Sequence, residues 1–152
     1  MDTRKPDIFD RLMHLPVLNI FEPFYKKHKE MLLYLFFGGL TFVISVITYA
    51  FFNVSLGMNE LVANIFSWIL AVLFAFFTNR IWVFGKTNGA KEFFVQMINF
   101  FGGRVATLVV EEVILFVFIT KLGFGSMVVK IAAQIIVIVL NYVISKLWVF
   151  RK

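Results

Sequence analysis

Arg104, Glu111 and Glu112 stand inside an otherwise apolar run, Phe93–Ile119. Charges inside so long an apolar stretch are costly and are kept where they serve an ion, a proton or a polar ligand. At 100° per residue, Arg104 and Glu111 fall within about 20° of one helix face, with Glu112 about 80° off it. Roughly 10 Å of helical rise separates Arg104 from the acids, too far for pairing within one helix. Their partners therefore come from other helices, water or a ligand. The last apolar run offers Lys130 and Gln134 at the depth of the acids, and Asn141 and Ser145 nearer Arg104. A cation among polar groups suits a phosphate, and carboxylates suit sugar hydroxyls. An Arg–Glu bridge between helices is the structural alternative.

A second set of candidate residues lies where two apolar runs end alike. One reads Phe76-Phe77-Thr78-Asn79-Arg80-Ile81-Trp82-Val83-Phe84 and the other Tyr142-Val143-Ile144-Ser145-Lys146-Leu147-Trp148-Val149-Phe150. Trp prefers the membrane interface, and a cation beside it reaches lipid phosphates. The plain reading is an anchor. The sharper one gives Asn79, Arg80, Trp82, Lys146 and Trp148 an anionic headgroup to hold at the inner face. Phe36-Phe37-Gly38-Gly39 and Phe100-Phe101-Gly102-Gly103 echo each other at nearly the same offset, so the chain reads as a duplicated helical hairpin. The halves are unequal, because Arg104 aligns with Leu40 and Glu111 with Ile47. Asn64, Ser67, Ala71, Ala75 and Thr78 in the second run, and Thr41, Ser45 and Thr48 in the first, form the small and polar stripes used for close packing in lipid.

Long apolar helices are needed to carry these groups. Crossing about 30 Å of hydrocarbon takes about 20 mostly apolar residues. Met31–Leu56, Leu61–Phe84, Phe93–Ile119 and Met127–Phe150 meet that requirement. Composition agrees: 61% of the 152 residues are hydrophobic, against about 45–50% in soluble domains, and mean hydropathy is +0.88. Twelve of the fifteen Lys and Arg precede the first run, lie in the central loop region or follow the last run, whereas only Lys121 and Lys130 fall on the opposite side. That asymmetry places both termini and the central loop in the cytoplasm. The net charge of +6 punctuates apolar runs rather than forming a patch, so no nucleic-acid partner is expected. Nor is the N-terminus a signal peptide, because Asp2, Pro6, Asp7 and Asp10 interrupt the place of its apolar core. Ile8, Phe9, Leu12 and Met13 instead recur at helical spacing up to Pro16. They read as a short amphipathic interfacial helix, followed by a basic clamp at Lys26–Lys29. The expected fold is an all-α integral membrane protein: residues 1–30 form an interfacial cytoplasmic segment, and 31–152 hold four transmembrane helices. These make two parallel-repeat hairpins about a pseudo-twofold axis along the membrane normal.

Phe37-Gly38, Asn64 with Ser67, the Phe77–Phe84 stretch, and Asn141 with Lys146–Phe150 together resemble the GtrA-like membrane proteins, over roughly Leu32–Phe150. The resemblance implies a flippase. It would move a polyprenyl (undecaprenyl) phosphate-linked sugar from the inner to the outer leaflet, for glycosylation of teichoic acid or another surface polysaccharide. Membrane glycosyltransferases would load the lipid inside and use the sugar outside. On this reading Arg80 and Lys146 receive the phosphate, Arg104 carries it through the midplane, and Glu111 and Glu112 hold the sugar. Four helices barely enclose a polar path, so a homo-oligomer is expected. Two other classes stay open: a small proton-coupled exporter protonated at Glu111 or Glu112, and a non-transporting scaffold for a glycosyltransferase. An enzyme is the reading least supported. There is no DxD-type pair, Gly-rich phosphate loop or Ser/His/Asp constellation, and His14 and His28 lie outside the spans. With no cysteine there is no thiolate metal site, and no cofactor is expected.

Overall fold

A computed structural model describes residues 5–85 and 89–151. Arg4, Lys86 and Lys152, used above for orientation, lie outside these, as do Thr87 and Asn88. The regular structure among the described residues is helical: α1 (Ile8–Met13), α2 (Glu22–Ala50), α3 (Glu60–Thr78), α4 (Ala90–Leu115) and α5 (Ser126–Ile144). The chain divides into two compact units, Met1–Gly85 and Lys86–Lys152. α2 packs on α3 in the first, and α4 on α5 in the second. Asn19–Ser55, Val62–Val83 and Val128–Val149 are long and apolar enough to cross a membrane. α4, the expected third span, has 26 residues of which five are charged, and is not among those three.

At the N-terminus, Asp7 and Asp10 make a reciprocal cap. The Asp10 N–H donates to Asp7 Oδ1 at 3.0 Å and the Asp7 N–H to Asp10 Oδ2 at 2.9 Å, which satisfies donors that a helix start leaves open. Lys29, read above as part of a basic clamp, turns inward instead. It is 12% exposed and reaches Asp10 Oδ2 at 2.7 Å and Asp7 Oδ2 at 2.9 Å, tying α1 to α2. Phe9 completes the contact, edge-on to Phe36 and Phe37 at 5.7 and 5.6 Å. Lys26 pairs with Glu22 on its own helix. A non-helical His28 (φ −119°, ψ 19°) kinks α2 just before its apolar run.

The long helices share one ending. Each of α2 to α5 runs into a single π-helical turn, at Phe51–Ser55, Asn79–Val83, Phe116–Lys121 and Ser145–Val149. The Phe84 N–H reaches back five residues to Asn79 O at 2.9 Å, and the Phe150 N–H does the same to Ser145 O at 2.9 Å. The two matching sequence endings are thus also matching backbone turns. Gly85 follows the first at φ 79°, a left-handed position that a Cβ would strain, and Gly57 and Gly123 follow the turns after α2 and α4 in the same way. After the α5 turn the corresponding residue is Arg151.

Packing within each unit follows helical spacing. The buried stripe of α3 is Ala63, Ser67, Ala71 and Ala75, while Asn64, expected on that stripe, is exposed. α4 buries Gln96, Phe100, Gly103, Thr107 and Glu111, at steps of three or four residues. Gly103 sits so near α5 that a Cβ there would lie 2.9 Å from Ile144 Cγ2. Small residues at such crossings let helices approach and gain dispersion contacts. Large apolar side chains such as Phe42, Ile47, Val109 and Ile135 face outward. So much exposed apolar surface is stable in lipid rather than water.

Candidate functional site

In the second unit, α4 and α5 bring polar groups together in layers. Glu111 is buried in spite of its carboxylate. It accepts hydrogen bonds from Lys130 Nζ at 2.7 Å and Gln134 Nε2 at 2.5 Å, both from α5. A carboxylate removed from water needs such compensation. One turn along, the buried Thr107 hydroxyl donates to Asn141 Oδ1 at 2.8 Å. Thr107 escaped the reading of the sequence, although its spacing from Arg104 and Glu111 puts all three on one face.

Arg104 is half-buried on that face. Its guanidinium lies 5.0 Å from the centroid of the Phe100 ring, and no carboxylate among the described residues pairs with it. The ring's negative face gives part of the solvation a cation loses on leaving water. Glu112 points away, exposed and without an ion pair among the described residues. Lys130 therefore pairs with Glu111, whereas Arg104, at mid-helix, has no carboxylate partner among the described residues and is open to an anion.

The two repeat endings diverge in detail. Asn79 is 3% exposed, and its Oδ1 has no hydrogen-bond partner among the described residues. Arg80 beside it is half-buried, and Trp82 stacks on Phe37 with centroids 5.4 Å apart. In the second unit Ser145 is buried. Lys146 is exposed and lies 3.4 Å from Tyr142 Oη. Trp148 is 59% exposed. Asn64 contributes only its backbone carbonyl, which accepts from the Ser67 hydroxyl at 2.9 Å. The structure thus joins Glu111 with Lys130 and Gln134, and Asn141 with Thr107. Asn79, Arg80 and Trp82 belong to the first unit.

Outside the apolar helices, burial on its own would raise the Asp10 carboxyl. The Lys29 ammonium and the Asp7 backbone N–H outweigh it and hold Asp10 below the ordinary carboxylate range. Among the described residues no group of three His, Cys, Asp or Glu could hold a metal ion.

Residues 33–150 match the GtrA/DPMS transmembrane domain. The chain is 35% identical over 123 residues to the cell wall teichoic acid glycosylation protein GtcA of Listeria innocua, covering 80% of this chain and 85% of that protein. The GtcA protein of Listeria monocytogenes serovar 1/2a matches over the same shares at 35% identity. The uncharacterized membrane protein YwcD of Bacillus subtilis is 27% identical over 121 residues, 79% of this chain and 95% of its own length.

Proposed function

This chain belongs to the GtrA/DPMS transmembrane domain family, and on that premise we propose that it is a flippase for a polyprenyl-phosphate-linked sugar. The expected carrier lipid is undecaprenyl phosphate. The sugar is destined for a cell-surface polymer, and teichoic acid is the first candidate because the GtcA relatives carry that role in their names. The chain itself performs no bond chemistry on this reading. Membrane glycosyltransferases load and unload the lipid, and the flippase works as a homo-oligomer. The carrier's long tail stays in the bilayer, so only the headgroup needs a polar route.

The observation that carries the proposal is Arg104: a half-buried cation in a largely apolar helix, with no carboxylate partner among the described residues, beside a Glu111 that has one. A charge left uncompensated at membrane depth costs several kcal/mol, roughly 2.5–3.5 on insertion scales, which a passing phosphate offsets. Glu111, held by Lys130 and Gln134, sets the shape of the route and offers its remaining lone pairs to sugar hydroxyls.

Four crossings, both termini in the cytoplasm and an interfacial N-terminal helix complete the proposal. Ile8, Leu12, Val17, Ile20 and Phe21 are all exposed, as a segment lying on headgroups requires. The test is leaflet exchange of a short-chain polyprenyl-phosphate hexose in proteoliposomes. Arg104→Ala is expected to slow exchange at least tenfold, about 1.4 kcal/mol in the barrier, and Arg104→Lys by less. Wild-type exchange in both Arg104→Ala and Glu111→Gln removes this route.

A further inference from the structure

Where α4 begins and the π turn after α5 ends, the second unit holds a half-open groove of about 540 Å³. Ligand sites commonly occupy about 300–1,000 Å³. Its polar and aromatic lining comes from Lys91, Glu92, Gln96, Asn99, Trp148 and Arg151. None of these residues belongs to the layers around Arg104 and Glu111. Lys91 and Arg151 are exposed, and neither side chain makes an ion pair or hydrogen bond with the other described residues. Trp148, 59% exposed, lines the same space, and no aromatic ring among the described residues packs against it.

The first unit shows that this arrangement is not a by-product of the repeat. There Trp82 is covered by Phe37, and the residue corresponding to Arg151 is Gly85. The second unit has both uncovered the indole and added a cation beside it. Two cations offer charge-assisted hydrogen bonds to phosphate oxygens, and an arginine does so bidentately. The flat indole face suits the C–H face of a pyranose. Glu92, Gln96 and Asn99 supply acceptors and donors for ring hydroxyls.

From this lining we propose that the groove binds a phosphate-linked sugar, the cations taking the phosphate and Trp148 the ring. The assignment rests on the flippase reading only for its purpose, as the place where the headgroup is received before Arg104. The ligand chemistry stands on the groove itself, and is shared by a lipid-linked sugar and a soluble nucleotide sugar.

The test uses the full chain in nanodiscs and follows tryptophan fluorescence during titration with farnesyl-phosphate glucose, UDP-glucose or inorganic phosphate. Saturable quenching by the lipid-linked sugar, absent in Trp148→Phe and half-saturating at least tenfold higher in Lys91→Gln/Arg151→Gln, supports the proposal. Equal saturation by UDP-glucose also supports it and makes the soluble donor the source. No saturable quenching, or an unchanged midpoint in the double variant, overturns it. Exchange measured on the same preparations separates the two readings. Groove binding without exchange in the wild type sinks the flippase and leaves the groove, whereas exchange without groove binding sinks the groove alone.

Discussion

Arg104 and Glu111 share one face of one helix, yet their surroundings give them different work. Glu111 is buried and doubly hydrogen-bonded, so it is a fixed acceptor. Arg104 touches a ring and, among the described residues, no acid, so it is a group whose charge an incoming ligand can use. The same contrast between a charge already used and one left open appears at the N-terminus. Lys29 is fully engaged by Asp7 and Asp10 and leaves little for lipid. Because Asp10 titrates below its ordinary value, the tie between α1 and α2 contributes its full stability above about pH 4, the unfolded carboxylate value. It is lost as pH falls through Asp10's lower folded value. In this cysteine-free chain, spin labels at Arg11→Cys and Lys27→Cys should give a narrow distance distribution at pH 7. That distribution should broaden in acid, and Lys29→Met should show the broad form at every pH. A distribution unchanged down to pH 2 would mean that Phe9, not the ion pairs, holds α1.

The pairing of α4 with α5 turns on Gly103. Its Cβ-less face admits Ile144, whose Cγ2 lies 2.9 Å from where a Cβ would stand, while nothing lies within 4 Å of the same position at Gly102. Alanine gains about 1 kcal/mol over glycine in a helix, but overpacking costs about 1–3 kcal/mol. Gly102→Ala should therefore raise the Tm of the purified protein and Gly103→Ala lower it, with Ile144→Ala restoring the second. Equal shifts in the two single variants would show that the helices have room to spare. Much of this element was legible in advance, because hydropathy is local and the three-and-four spacing of buried positions follows from helix geometry. The depth match of Lys130 and Gln134 with Glu111 followed from rise per residue alone. Asn64 was misplaced because neighbours 63 and 64 differ by only about 100°, and small Ala63 packs where polar Asn64 does not. The π turns leave no mark in composition, since shifting a hydrogen bond from the fourth to the fifth residue changes no side chain. The Lys29 tie joins residues 19 and 22 apart in the chain, a distance over which periodicity says nothing.

For the molecule as a whole, α4 decides the number of crossings, since three other helical stretches have the apolarity to cross without it. The charge of α4 is the obstacle: Lys91, Glu92 and Glu112 are exposed, whereas Arg104 is half-buried and Glu111 buried. Glu111 is buried against α5, and Arg104 leans on Phe100 of its own helix. The outer surface of α4 carries Ile98, Val105, Leu108, Val109 and Val113, all exposed and apolar. Beyond its first turn, a helix whose outer face is apolar but for Glu112 is suited to lipid on one side and a partner helix on the other. If α4 lay on the inner surface instead, α5 would run the opposite way and carry Lys146 and Arg151 outside, against the positive-inside rule. The absence of cysteine makes the test direct, through single substitutions Lys5→Cys, Met58→Cys, Ala90→Cys and Phe124→Cys and a membrane-impermeant maleimide on intact cells. Four crossings predict labelling at 58 and 124 from outside, and at 5 and 90 only after permeabilisation. With three crossings, 124 would join 5 and 90 as protected, and the route proposed through Arg104 would lose the membrane it needs.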